Sequence, residues 1–171
     1  MMDYTIPQYF EQVTSAIDLC LAKDVPLPGI TLLYSGIDVA GFLAGTEQYA
    51  RRKTFVPWAE KYLGPFLSRH GISGLDLYSA RCGLLHTAQA ASELVDRGIA
   101  REIWYGFKDD FHINMMTNTP KPAVLIRVEE FVGSFRFGVD QWLMDLQADP
   151  ALLTKTEKRA QRAFRLGKFF N

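Results

Sequence analysis

Between Gly29 and Gly45 the chain reads GITLLYSGIDVAGFLAG, apolar on nearly every side of a helix and carrying one charge, Asp38. A helix apolar all round has to be wrapped by other elements, so this segment predicts the most buried member of a helical bundle. With Ser35 and Asp38 inside it, the run is too short and too polar to be read as a membrane span. Gly36, Ala40 and Ala44 recur four apart and make one side smooth, so a neighbouring helix can approach closely.

The rest of the chain supplies the wrapping. Thr5-Ile6-Pro7-Gln8 predicts a capped start, and Phe10, Val13, Ile17, Cys20 and Leu21 recur at helical spacing to about Ala22. Lys23 to Pro28 holds two prolines and reads as a loop. Phe55, Trp58, Tyr62, Phe66 and Leu67 predict a third helix from Thr54. Ser73-Gly74-Leu75-Asp76 matches a capping box and opens a fourth, continuing to about Arg97-Gly98. The period then changes. Ile99 to Tyr105 and Phe111 to Met115 predict a hairpin through Gly106 to Asp110, with Val124 to Ile126 as a further short strand. Helix five is expected from about Arg127 to Leu146. A basic final helix follows Asp149-Pro150 and reaches about Phe164. The expectation is mostly α: one domain over residues 1–171, a bundle of five to six helices with a small antiparallel β insertion at about 99–126 and a basic C-terminal helix at about 150–166.

Composition narrows the class. With 171 residues, 48% apolar and 22% charged, the chain is globular and sized for one core. Its formal net charge of zero supplies no global pull toward nucleic acid or an anionic membrane, so an anionic partner needs a local patch. Cys20 and Cys82 both fall in apolar helical patterns, which suits free thiols and a reducing compartment. The start, MMDYTIPQYFEQ, shows no basic region followed by an apolar stretch, so no secretory signal is expected and the reading is cytoplasmic.

Arg81-Cys82-Gly83-Leu84-Leu85-His86 sets an arginine and a histidine inside a helix that otherwise reads as core. Within a helical bundle this resembles the HEPN superfamily, whose members carry R-x(4–6)-H on a late helix. LLYSGIDVAGFL, RRKTFVPWAEKYL and DLYSARCGLLH sit where such a bundle would place them, so the resemblance covers roughly residues 5 to 147. It implies a homodimeric, metal-independent endoribonuclease with the Arg/His pairs of both copies facing one cleft. It also implies a toxin or defence role with an antitoxin or regulatory partner. No cofactor and no metal is expected.

The residue types fit that chemistry. In RNA cleavage the 2′-hydroxyl loses a proton as it attacks phosphorus, and the 5′-oxygen gains one as it leaves. A histidine titrates near neutrality and serves either step. A guanidinium binds the extra negative charge of the phosphorane. His86 is therefore the candidate general acid/base and Arg81 the candidate phosphate clamp. Five residues along a straight helix set their side chains about 140° and roughly 7.5 Å apart. Either the long Arg81 side chain reaches round, or Gly83 permits an irregular helix, or one copy's Arg81 meets the other's His86. The family commonly has Asn, Asp or His directly after the arginine, and Cys82 stands there instead. An inactive member that retains the fold for dimerisation or for RNA or nucleotide binding is the alternative.

Plainer roles stand beside these. His86 also suits a core or interface histidine. Arg81 also suits a buried ion pair with Asp38, which would fix helix register and, equally, hold the arginine for catalysis. Tyr78 flanks the same face as a supporting phenol or as a packed tyrosine. Cys82 and His86 stand at i and i+4, so a thiolate nucleophile is a further reading. His70, His86 and His112 fall in separate elements and form no zinc pattern.

Two basic clusters point toward a polyanion or toward a solvated face. Arg51-Arg52-Lys53 precedes the third helix. From Asp149 onward six Lys/Arg, among them Lys158, Arg159 and Arg162, stand against two acids.

Overall fold

The computed structural model describes residues 5–87, 92–108 and 123–164. Thr5 opens α1 (Ile6–Ala22) with a reciprocal cap: its hydroxyl accepts from Gln8 N at 3.4 Å and its own N–H donates to Gln8 Oε1 at 3.1 Å. Of the segment expected as a loop, Lys23 to Val25 join the helices and Pro26 to Pro28 open α2 (Pro26–Ala44). Pro26 and Pro28 occupy its first turn, where backbone N–H groups have no helical partner and proline is tolerated.

The single third helix expected from the sequence is two. α3 (Arg52–Tyr62) and α4 (Gly64–His70) break at Leu63-Gly64-Pro65, where Pro65 has no N–H to return to the preceding turn. α5 (Gly74–Thr87) begins at the expected capping box. α6 (Glu93–Asp96) then resumes the helical run, and residues 88–91 between them lie outside the described set. β1 (Glu102–Gly106) and β2 (Ala123–Arg127) precede α7 (Val128–Ala148) and α8 (Pro150–Ala163). The described residues thus hold eight helices where five to six were expected, because two of the anticipated helices are divided.

The sheet corrects the antiparallel expectation. β1 pairs with β2 in parallel, Glu102 opposite Ala123 through Gly106 opposite Arg127. The expected partner strand, Phe111 to Met115, lies outside the described residues. A parallel pair needs a crossover of a dozen or more residues, and the sixteen residues 107–122 between the strands are long enough for one. Burial decides the pairing over proximity in sequence. Ile103 and Ile126 are both fully buried, and the Tyr105 hydroxyl hydrogen-bonds the Tyr34 hydroxyl on α2.

α2 lies at the centre, as its composition demands. Leu33, Tyr34, Ile37 and Ala40 have no exposed surface, and the Tyr34 ring packs against Phe55 of α3 and Phe131 of α7. Each large side chain buried this way contributes roughly 1.5–3 kcal/mol. Glycine sets the approach distances: a Cβ on Gly36 would stand 2.6 Å from Phe135 Cζ, and one on Gly41 2.5 Å from the Thr54 carbonyl oxygen. By length and composition α2 is also the one described helix able to cross a bilayer; here 56% of that stretch is buried inside the protein.

Candidate active site around Arg81

The start of α5 is fixed before its functional residues arise. Ser73 N donates to Asp76 Oδ2 at 2.7 Å, and Asp76 N donates to Ser73 Oγ at 3.2 Å. Arg101 N, just before β1, donates to Asp76 Oδ1 at 2.7 Å and so ties the sheet to this helix end. Burial raises the Asp76 pKa, but the hydrogen bonds from Arg101 and Ser73 outweigh it and hold the carboxyl below its ordinary range.

From that anchor α5 carries Arg81 onto α2. Arg81 Nε donates to Asp38 Oδ2 at 2.6 Å, and Nη2 lies 2.6 Å from the same oxygen. The side chains are 19% and 11% exposed, so the pair is sheltered but not fully buried. Two of the five guanidinium N–H donors go to this carboxylate. Burial favours losing the proton, but the Asp38 charge and hydrogen bond outweigh it and raise the Arg81 pKa, so the arginine stays charged. The lone acid of the apolar helix and the candidate arginine therefore meet, as the ion-pair reading expected.

Around them sit a thiol and two phenols. Arg81 Nη1 lies 4.0 Å from Cys82 Sγ. Tyr78 packs edge-on against Phe55 at 5.5 Å between centroids, and burial followed by its contact with Cys82 raises its phenol pKa. Tyr78 is thus both a packed tyrosine and a neighbour of the arginine. Tyr9 of α1 was not singled out from sequence. Its phenol pKa is raised by burial and by the Asp38 charge, and its ring stacks on Phe164 at 4.7 Å. Nothing in the spacing of α1 marks Tyr9, because its neighbours come from α2 and the end of α8.

His86 lies on α5 in the last turn before Thr87. Its side chain is outside the described set. α5 runs unbroken through Gly83, so the irregular helix anticipated as one solution is not found, and the separation of about 140° between the two positions holds.

The basic residues fall into two kinds. Arg51, Arg52 and Lys53 are exposed at the start of α3, with the Arg51 guanidinium 5.6 Å from the Tyr49 ring centroid. Lys158 and Arg162 are exposed on α8. Arg159 turns inward instead. Its Nε and Nη2 donate to the Phe42 carbonyl at 3.0 and 2.6 Å, Nη2 also reaches the Glu47 carbonyl at 2.6 Å, and the guanidinium lies 4.2 Å from the Phe42 ring centroid. Burial and the neighbouring Arg162 charge lower its pKa. Among the described residues no trio of His, Cys, Asp or Glu is placed to hold a metal.

Taken together, fold and site define a helical bundle with a small parallel sheet and an acid-held arginine on its fifth helix. Compared with known proteins, the chain matches no family model, no curated protein and no solved structure.

Proposed function

We propose that this chain is a HEPN-type endoribonuclease that cuts RNA without a metal, as a homodimer, with Arg81 and His86 as its reacting pair. The observation that carries the proposal is the Arg81 guanidinium held by Asp38 on the same helix as His86. A carboxylate behind an arginine fixes its fork, so its remaining N–H donors are oriented before a phosphate arrives. In this mechanism His86 takes the proton of the attacking 2′-hydroxyl or returns one to the leaving 5′-oxygen. Arg81 binds the non-bridging oxygens as charge builds on phosphorus. The products are a 2′,3′-cyclic phosphate and a 5′-hydroxyl. α5 is continuous and sets positions 81 and 86 about 140° apart around its axis, and in this reading a second copy completes the site. An antitoxin or other regulatory protein is the further partner this reading carries.

One observation favours a second reading, the same fold without catalysis as a dimerisation or RNA- or nucleotide-binding module. Asp38 already balances the Arg81 charge, and Cys82 offers a phosphate no strong hydrogen-bond donor. Incubation of mixed RNA with wild type and with His86→Ala, both in EDTA, separates the two. The nuclease gives metal-independent cleavage that the substitution abolishes by at least about a hundredfold. No cleavage by either protein, with RNA binding retained, establishes the module instead.

A further inference from the structure

The two basic clusters are 105 residues apart, Lys53 to Lys158, yet one contact draws them together. Arg159 grips the carbonyls of Phe42 and Glu47 and so fastens α8 to the end of α2 and to the loop that follows. Arg51 is four residues beyond Glu47, within about 14 Å along an extended chain. On α8, Lys155, Lys158 and Arg162 fall within about 60° of arc that borders Arg159, whereas Glu157 lies about 160° round from Arg159. All three cations are exposed. The stripe thus flanks the loop, and the loop leads into Arg51, Arg52 and Lys53.

In the loop that joins Glu47 to Arg51 stands Tyr49, 58% exposed, with the Arg51 guanidinium beside its ring. An exposed ring set among cations suits a chain that alternates negative charge with flat apolar bases. A lipid surface offers charge without bases to stack, and an acidic protein segment offers neither regular spacing nor flat rings. Single-stranded nucleic acid offers both.

The track also leads toward Arg81. Phe42 is four residues from Asp38, so Arg159 and Arg81 meet α2 one turn apart on one side. At the end of α8, Phe164 stacks on Tyr9, whose phenol feels the Asp38 charge.

We infer that Lys155, Lys158, Arg162, Tyr49, Arg51, Arg52 and Lys53 form one binding track for single-stranded RNA, with the cations on its phosphates and Tyr49 stacked on a base. Arg159 is its positioning residue and touches no phosphate. The inference rests on RNA as the substrate class proposed above, and it adds the path by which a strand reaches Arg81.

The test uses the full chain and a fluorescein-labelled 2′-O-methyl oligoribonucleotide of about twelve nucleotides, which has no 2′-hydroxyl to react, so that binding is read apart from cleavage. Six cations on a single strand give a slope of log K against log salt of about −4. Lys155→Gln, Lys158→Gln and Arg162→Gln combined flatten it by about 2. Tyr49→Ala weakens binding about tenfold or more, and Tyr49→Phe restores it. Glu157→Gln leaves the slope within one contact of wild type. The inference is overturned if wild type does not bind, if the triple variant keeps the wild-type slope, if Tyr49→Ala binds as wild type does, or if phosphatidylglycerol vesicles are bound in place of the oligonucleotide. RNA cleavage that depends on His86 without this binding leaves the nuclease standing and removes the track. Binding without cleavage does the reverse.

Discussion

Arg81 and Arg159 reach α2 from different helices, one turn apart, and are held in opposite ways. Arg81 meets a carboxylate, so its charge is balanced where it sits. Arg159 meets main-chain carbonyls of the last turn of α2 and of the loop after it, which orient a guanidinium without neutralising it. The first arrangement sets a charged fork at a sheltered site, and its integrity depends on one acidic side chain. The second fastens two helices through partners that no side-chain substitution removes, and it leaves positive charge on the surface. One helix thereby supports a sheltered, charge-balanced arginine and a broader cationic face.

The largest effect in this comparison is expected from Asp38→Ala, which strands a half-buried guanidinium. Breaking such a pair from one side costs about 3 kcal/mol, seen as a thermal midpoint lower by roughly 6–12 °C. Asp38→Asn, which keeps an acceptor, is expected to lose less. Arg159→Ala follows with about 2 kcal/mol in urea denaturation, for the loss of charged hydrogen bonds to Phe42 and Glu47. Arg159→Lys recovers less than half of that, because an ammonium cannot reproduce the planar fork or its stacking on Phe42. Equal costs for Asp38→Ala and Arg159→Ala would remove the distinction. Full rescue by lysine would reduce the Arg159 contact to simple charge.

These two arginines also mark how much was readable in advance. A lone acid in an apolar helix requires a partner, so the Asp38–Arg81 contact follows from residue type, and the structure contains it. Arg159 carries no such signal. Its acceptors are carbonyls 112 and 117 residues away, and every residue has a carbonyl. The same contrast runs through the fold. Thr5/Gln8 and Ser73/Asp76 announce their helix starts because capping is local chemistry. Gly64-Pro65 is an equally local signal for the break between α3 and α4, overridden in the sequence reading by the helical spacing of Trp58, Tyr62 and Phe66. The parallel pairing of β1 with β2 is not local at all. It follows from both strands burying an isoleucine beneath the sheet after the chain has crossed over. The position of His86 on α5 was legible, while the meeting with Arg81 proposed above calls for a second copy.

That meeting is open to a direct measurement. Arg81→Gln and His86→Ala proteins, each inactive alone, are mixed, allowed to exchange subunits, and assayed on mixed RNA in EDTA. If each site takes its arginine from one copy and its histidine from the other, half of the dimers are mixed and each mixed dimer regains one of its two sites. About a quarter of wild-type cleavage returns. A mixture no more active than its parents, under conditions where subunit exchange is verified and wild type cuts, contradicts a site shared between copies.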